Sequence, residues 1–218
     1  MISDVHNTDC VEFMRSLPDN SFELAIADPP YGILSKIGGK GGKLKDRIIV
    51  TDAERLAEWD KEIPKQEFFD ELFRVSKNQI IWGGNYFPLP PTRCIVCWDK
   101  VQPWENFSQI ELAWTSFDYP AKLFRFDNRW AGKFHPTMKP VELYEWLLRN
   151  FAKEGDRIFD PMMGSGSSRV AAYKMGFDYT GCELNAEYFQ KSGEFFEREA
   201  LEAVRMKDGR LVQQLTLF

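Results

Sequence analysis

Little in this chain points to an oxidising compartment, a bound metal or a membrane. It has 4 cysteines in 218 residues. Cys10, Cys94, Cys97 and Cys182 are scattered rather than spaced as a disulfide framework, which fits a reducing cytoplasm. Cys94-Ile95-Val96-Cys97 has the spacing of a metal clasp, but it falls in an apolar run that reads as a strand. Residues three apart in a strand point to opposite faces, and no second pair follows, so no metal is expected. No apolar run reaches membrane-spanning length, and Met1 to Cys10 holds no long apolar segment, so no membrane association is expected. Internal repeats and a Pro/Ser-rich linker are also missing. A single domain over residues 1–218 is the expectation, with 44% hydrophobic content, 18 Phe and 7 Trp to fill one core. An excess of positive charge is missing too: the net charge is −5. For a nucleic-acid protein this would be unusual, because phosphate contacts dominate affinity.

What is present is a strand that stops abruptly. The apolar run Phe22–Ala27 leads into Asp28-Pro29-Pro30-Tyr31. Two prolines cannot continue a ladder, so the tetrapeptide sits at the strand's carboxyl end, the edge where open α/β sheets bind ligands. A carboxylate, a stiff backbone and an aromatic ring at a pocket mouth suit a planar base with an exocyclic amine. The plainer reading is a strand-ending turn. A second corner lies downstream. Arg157-Ile158-Phe159 leads into Asp160-Pro161-Met162-Met163-Gly164-Ser165-Gly166-Ser167, and a helix follows. Strand, glycine turn and helix form a nucleotide-binding corner, although Arg169 stands where the dinucleotide pattern wants a third glycine. Glu183, about 20 residues beyond Gly164 and at the end of the next strand, is placed to hold ribose hydroxyls.

These motifs together resemble the S-adenosylmethionine-dependent DNA amino-methyltransferases of the permuted beta group, in which the catalytic motif precedes the cofactor motif. Asn7-Thr8-Asp9-Cys10 resembles the segment that touches the cofactor adenine. Ile81-Trp82-Gly83-Gly84-Asn85-Tyr86-Phe87 resembles a mid-sheet motif of the family, and His135-Pro136-Thr137-Met138-Lys139-Pro140 the motif before the glycine-turn strand. The likeness runs from about Asp9 to Tyr188, with Met162 where phenylalanine is usual and Met138 where glutamine is common. It is closest in look to small phage and prophage adenine methylases. The resemblance implies a Rossmann-like α/β fold with seven strands, one of them antiparallel. It also implies S-adenosylmethionine as cofactor, held by Asp9, Cys10, Asp28, Thr137, Lys139, Asp160, Pro161, Met162, Gly164, Ser165, Gly166, Ser167, Glu183 and Leu184. Lys139 and Thr137 would lie nearer the methionine carboxylate. Asp28, Pro29, Pro30 and Tyr31 would be catalytic, with Asp28 and the Pro29 carbonyl accepting the amine's N–H bonds and Tyr31 stacking on an extruded base. No cysteine accompanies the Pro-Pro step, so a covalent thiol route has no candidate. In this family an initial aspartate goes mainly with adenine N6, and serine with cytosine N4.

Charge distribution answers the net negative balance. Lys36, Lys40, Lys43, Lys45 and Arg47 lie in the glycine-rich stretch 35–47, read as a mobile DNA-closing loop. Lys122, Arg125, Arg129 and Lys133 lie among aromatics within or next to 101–134, read as the target-recognition segment. That segment is short, so a relaxed target, a partner subunit or a homodimer follows as an expectation. The tail 207–218 ends in Gln214-Leu215-Thr216-Leu217-Phe218, which resembles the peptide that grips the polymerase sliding clamp; packing on its own domain is the alternative. Other readings carried forward are cytosine-N4 methylation, RNA or protein amide methylation, and an inactive cofactor-binding or DNA-binding module. The apolar runs predict strands near 2–7, 23–27, 79–82, 94–98, 111–116, 157–159 and 179–182. They predict helices within 11–17 and over 66–75, 141–152, 167–175 and 186–205.

Overall fold

Two apolar stripes on each central strand organise the protein. In the computed structural model, which describes residues 2–33, 60, 62–103, 108–129, 132–135, 137–201 and the backbone of 203–205 and 211–213, these stripes lie on opposite faces of one sheet. Strand β2 (Phe22–Ala27) turns Leu24 and Ile26 toward one cluster and Ala25 and Ala27 toward the other, as the two-residue period requires, while Phe22 at the strand's start departs from the period and joins the second cluster. Helix α1 (Cys10–Arg15) and helix α2 (Gln66–Val75) cover the second face with Met14, Phe68, Phe69, Leu72 and Val75. Helices α3 (Val141–Phe151) and α4 (Ser167–Lys174) cover the first with Leu143, Leu147, Leu148, Ala171 and Ala172. Arg74 ties α1 to α2 by donating to the carbonyls of Met14 and Leu17 at the end of α1.

The sheet has eight strands in the order β1-β8-β7-β2-β3-β5-β4-β6. The others are β1 (Ser3–His6), β3 (Ser76–Trp82), β4 (Ile95–Asp99), β5 (Ile110–Thr115), β6 (Lys122–Arg125), β7 (Arg157–Asp160) and β8 (Asp178–Cys182). Strand β5 is antiparallel to both β3 and β4, and every other pairing is parallel, so β5 alone runs backwards. This is the expected α/β layering with one reversed strand.

Two expectations need correction. An eighth strand, β6, lies inside the stretch read as a recognition segment. It is an edge strand with one buried residue, Phe124, between exposed Leu123 and Arg125, so it carries little apolar signal. The terminal helix also stops early. Helix α5 (Ala186–Phe196) passes into a π-helical turn at Glu197–Leu201, and Ala203–Arg205 then pairs antiparallel with Leu211–Gln213. Glu194, Glu197, Glu199 and Glu202 crowd negative charge at the helix's carboxyl end, where the dipole already disfavours it. Among the described residues no helix is long and apolar enough to cross a membrane. The stretch 35–47 and Gln214–Phe218 lie outside the described residues.

Candidate active site

Because the strands flanking β2 are parallel, Asp28 after β2, Asp160 at the end of β7, Glu183 after β8 and Gly83 after β3 all reach the same carboxyl edge. Asp28 is the centre of a compact charge network. The Tyr31 hydroxyl donates to Asp28 Oδ1 at 2.7 Å, and Lys139 Nζ lies 2.6 Å from Oδ2. Lys139 is buried, 3.1 Å from Glu111 Oε2 and 3.3 Å from the Tyr31 hydroxyl. Glu111 pairs through its other oxygen with Lys100. Burial pushes the Asp28 carboxyl up, and the adjacent ammonium opposes that push. Burial also works against charge on Lys139, but Asp28 and Glu111 together hold it above its usual value. The backbone behind Asp28 is fixed by Asp60, whose carboxylate accepts from the amides of Tyr31, Gly32 and Ile33 at 2.6, 2.9 and 2.7 Å. The Tyr31 ring stacks on Tyr86, with centroids 5.2 Å apart.

The glycine corner is held by two acids with different tasks. Glu183 Oε2 accepts from the Gly164 amide at 3.0 Å and Oε1 from the Asn185 amide at 2.7 Å. Asp160 accepts from the Met162 amide and the Ser168 hydroxyl and is fully shut in. Burial pushes the Asp160 carboxyl up to about 7. The folded protein therefore keeps a proton that the unfolded chain has released, and stability is lost as pH rises through that value. Asp160→Asn should flatten the fall in melting temperature between about pH 4 and pH 7; an unchanged slope would exonerate Asp160. His135, buried beside Lys139, is pushed down to about 4 and packs edge-on against Tyr188 at 4.3 Å, so it is neutral near neutral pH.

A cavity of about 600 Å³ joins the two corners. Of the residues expected at a cofactor, Asp9, Cys10, Asp28, Thr137, Lys139, Pro161, Met162, Gly164, Ser165, Glu183 and Leu184 line it. Asp160, Gly166 and Ser167 do not. They form the wall behind: Ser167 bonds Ser165, and Gly166 takes φ 77° with Ser192 at 3.2 Å from where a Cβ would be. Pro30 lines the cavity with Asp28, whereas Pro29 is buried and Tyr31 reaches the site through its bond to Asp28. Asp9 both lines the cavity and caps α1, accepting from the amides of Val11 and Glu12. Lys139 lines the cavity with its ammonium engaged by Asp28 and Glu111.

Sequence reading missed Glu111, Tyr144, Asn185, Glu187 and Tyr188, which no local motif marks. It also missed the work of the Tyr31 hydroxyl, since the ring face alone seemed sufficient. Of the basic residues, Arg125 donates to Asp99, Arg129 to Asp127, and Lys133 to Asn128, while Lys122 Nζ lies 6.0 Å over the Phe151 ring. Lys122 and Arg125 sit on β6 at the sheet edge, four strands from β2. The positions 36, 40, 43, 45 and 47 lie outside the described residues.

Known proteins resemble this chain in sequence and in fold. The chain is 30% identical to the type II methyltransferase M2.DpnII of Streptococcus pneumoniae over 88% of its own length and 89% of that protein's. Its fold matches the M1.HpyAVI–SAM complex with TM-score 0.55 at 20% identity, covering 89% of this chain and all of that one. It matches the PvuII DNA methyltransferase, titled cytosine-N4-specific, with TM-score 0.60 at 14% identity, covering 100% of this chain and 97% of that one. Residues 81–194 match the profile of the DNA methylase family, a segment that runs from the end of β3 through the glycine corner into α5. With an aligned relative across nearly the whole chain and the profile across its centre, this protein belongs to the DNA methylase family.

Proposed function

We propose that this DNA methylase transfers a methyl group from S-adenosylmethionine to the exocyclic N6 of an adenine extruded from double-stranded DNA. One observation carries the reading: Asp28, at the carboxyl end of β2, opens into the same cavity as the Gly164 turn and Glu183. The residues fit such a cofactor. About 600 Å³ lies within the usual range of small-molecule sites. Asp9, Asp28, Glu183 and Glu187 bring four carboxyl groups to the lining against the single ammonium of Lys139, with His135 neutral, which favours a cationic ligand. S-adenosylmethionine supplies an electrophilic methyl on its sulfonium sulfur. The protein's part is positioning and charge. Asp28 and the Pro29 carbonyl accept the amine's N–H bonds and favour a tetrahedral nitrogen, and the Tyr31 ring offers a stacking face. Glu183 keeps unused lone pairs for ribose hydroxyls while its bonds to Gly164 and Asn185 hold it in place.

Asp28 at the head of the motif supports adenine over cytosine. Incubation with labelled cofactor and unmethylated DNA, then nucleoside analysis, tests this: N6-methyladenine is expected, and N4-methylcytosine alone would overturn the base assignment. Glu183→Ala should raise the cofactor dissociation constant about tenfold or more, a loss of roughly 1.5–3 kcal/mol for bonds to a charged group. Calorimetry showing unchanged cofactor affinity would take Glu183 out of the site. Lys122, Arg125, Arg129 and Lys133, with Lys36, Lys40, Lys43, Lys45 and Arg47, are assigned to phosphate contacts. The sequence suggests a sliding clamp at Gln214–Phe218, with packing of that tail on its own domain as the alternative, and a second copy of the chain as further partners.

A further inference from the structure

Both oxygens of Asp28 are taken in the free protein, Oδ1 by the Tyr31 hydroxyl and Oδ2 by Lys139. An arriving amine meets a carboxylate already occupied by better donors. On the far side of the same ammonium lies Glu111 Oε2, 3.1 Å from Nζ. This oxygen is sealed from solvent and holds the ammonium as an ion pair, with no other partner among the described residues. Glu111 reaches the site only because β5 runs backwards, which brings its first residues to the edge where the parallel strands end. We propose that Glu111 is a positioning residue for methyl transfer: it receives the Lys139 ammonium when the substrate amine docks on Asp28 Oδ2. The proposal rests on Asp28 being the amine's acceptor.

The charges permit the exchange. Asp28, Lys139, Glu111 and Lys100 alternate in sign, so tipping Nζ from one carboxylate to the other changes its bonding partner and not the net charge. A lone buried ammonium would have nowhere to go, because separating it from its only partner would leave both ions uncompensated. Glu111 Oε2 is the destination, and Lys100 keeps Glu111 from seizing Lys139 before substrate arrives. Lys139 and Lys100 hold the Glu111 carboxyl below its usual value despite its burial, so it is ionised and ready to accept.

Steady-state methylation of unmethylated DNA by native protein, Glu111→Gln and Lys100→Met tests the exchange. Glu111→Gln should lower kcat on the order of 10- to 100-fold, since Lys139 then stays on Asp28, while the KM for S-adenosylmethionine changes by about twofold or less. Its acid limb should move to lower pH, because loss of a neighbouring negative charge and a firmer ammonium both favour ionised Asp28. Lys100→Met should move the limb the other way, by releasing Glu111 to draw Lys139 off Asp28. Tyr31, Tyr144 and Asp160 also face Asp28, and His135 faces Lys139, but all four are the same in each variant, so the differences report the exchange. Native kcat with an unmoved limb in Glu111→Gln, or limbs moving the same way in both variants, overturns it. Should Glu111→Gln fail to fold, Lys100→Met decides alone through kcat measured above the limb: a value at or above native supports the exchange, since Glu111 is then free to draw Lys139 off Asp28, and a tenfold or greater loss refutes it. Native protein that methylates neither adenine nor cytosine would instead sink the reading of Asp28, and the exchange with it.

Discussion

Asp28→Ala should give a folded protein that binds S-adenosylmethionine and transfers methyl groups about 100- to 1000-fold more slowly, or not detectably. The loss is chemical rather than structural because Lys139 keeps Glu111 as a counter-ion, so no buried charge is left alone. Tyr31 remains anchored through its backbone amide to Asp60. Calorimetry should therefore find cofactor affinity close to native while nucleoside analysis finds little product. A folded Asp28→Ala protein turning over at the native rate would remove this residue from the reaction and the amine-acceptor role with it.

Gly83→Ala should damage turnover nearly as badly from outside the cavity. Gly83 follows β3 at φ 68°, where a Cβ would stand 2.3 Å from the Tyr31 Cε1 and 2.5 Å from Cδ1. The ring cannot step aside freely, because its hydroxyl is bonded to Asp28, its amide to Asp60 and its face to Tyr86. Something must shift by an ångström or more, a displacement that costs on the order of 100-fold in rate. The left-handed backbone adds about 1–2 kcal/mol of destabilisation. The cofactor dissociation constant should hardly change, since neither Gly83 nor Tyr31 lines the cavity. Native kcat in Gly83→Ala would mean that the position of the Tyr31 ring does not matter to catalysis.

Much of the molecule was legible because local rules and tertiary needs agree there. The Gln66–Val75 helix follows its predicted bounds, with Phe68, Phe69, Leu72 and Val75 on one buried face. The strand-ending prolines and the glycine corner located the cavity, since both constrain the backbone wherever they occur. Glu111 was invisible because its importance comes from strand direction: on a parallel β5 it would lie at the opposite edge. Asp160 was read as a cofactor residue because it heads the glycine motif, yet its bonds to Met162 and Ser168 turn it inward to brace the corner. Helix α5 was read too long because propensity alone does not register accumulating acid at a helix's carboxyl end.

The three amide bonds to Asp60 have a consequence for how such a protein can vary. Chain leaving the core at Ile33 and chain returning at Asp60 are fastened to each other by one carboxylate. The intervening positions can then differ in length and composition without transmitting the change to Tyr31 or Asp28. A change in the number of residues between those two points would therefore leave the chemistry beneath them in register.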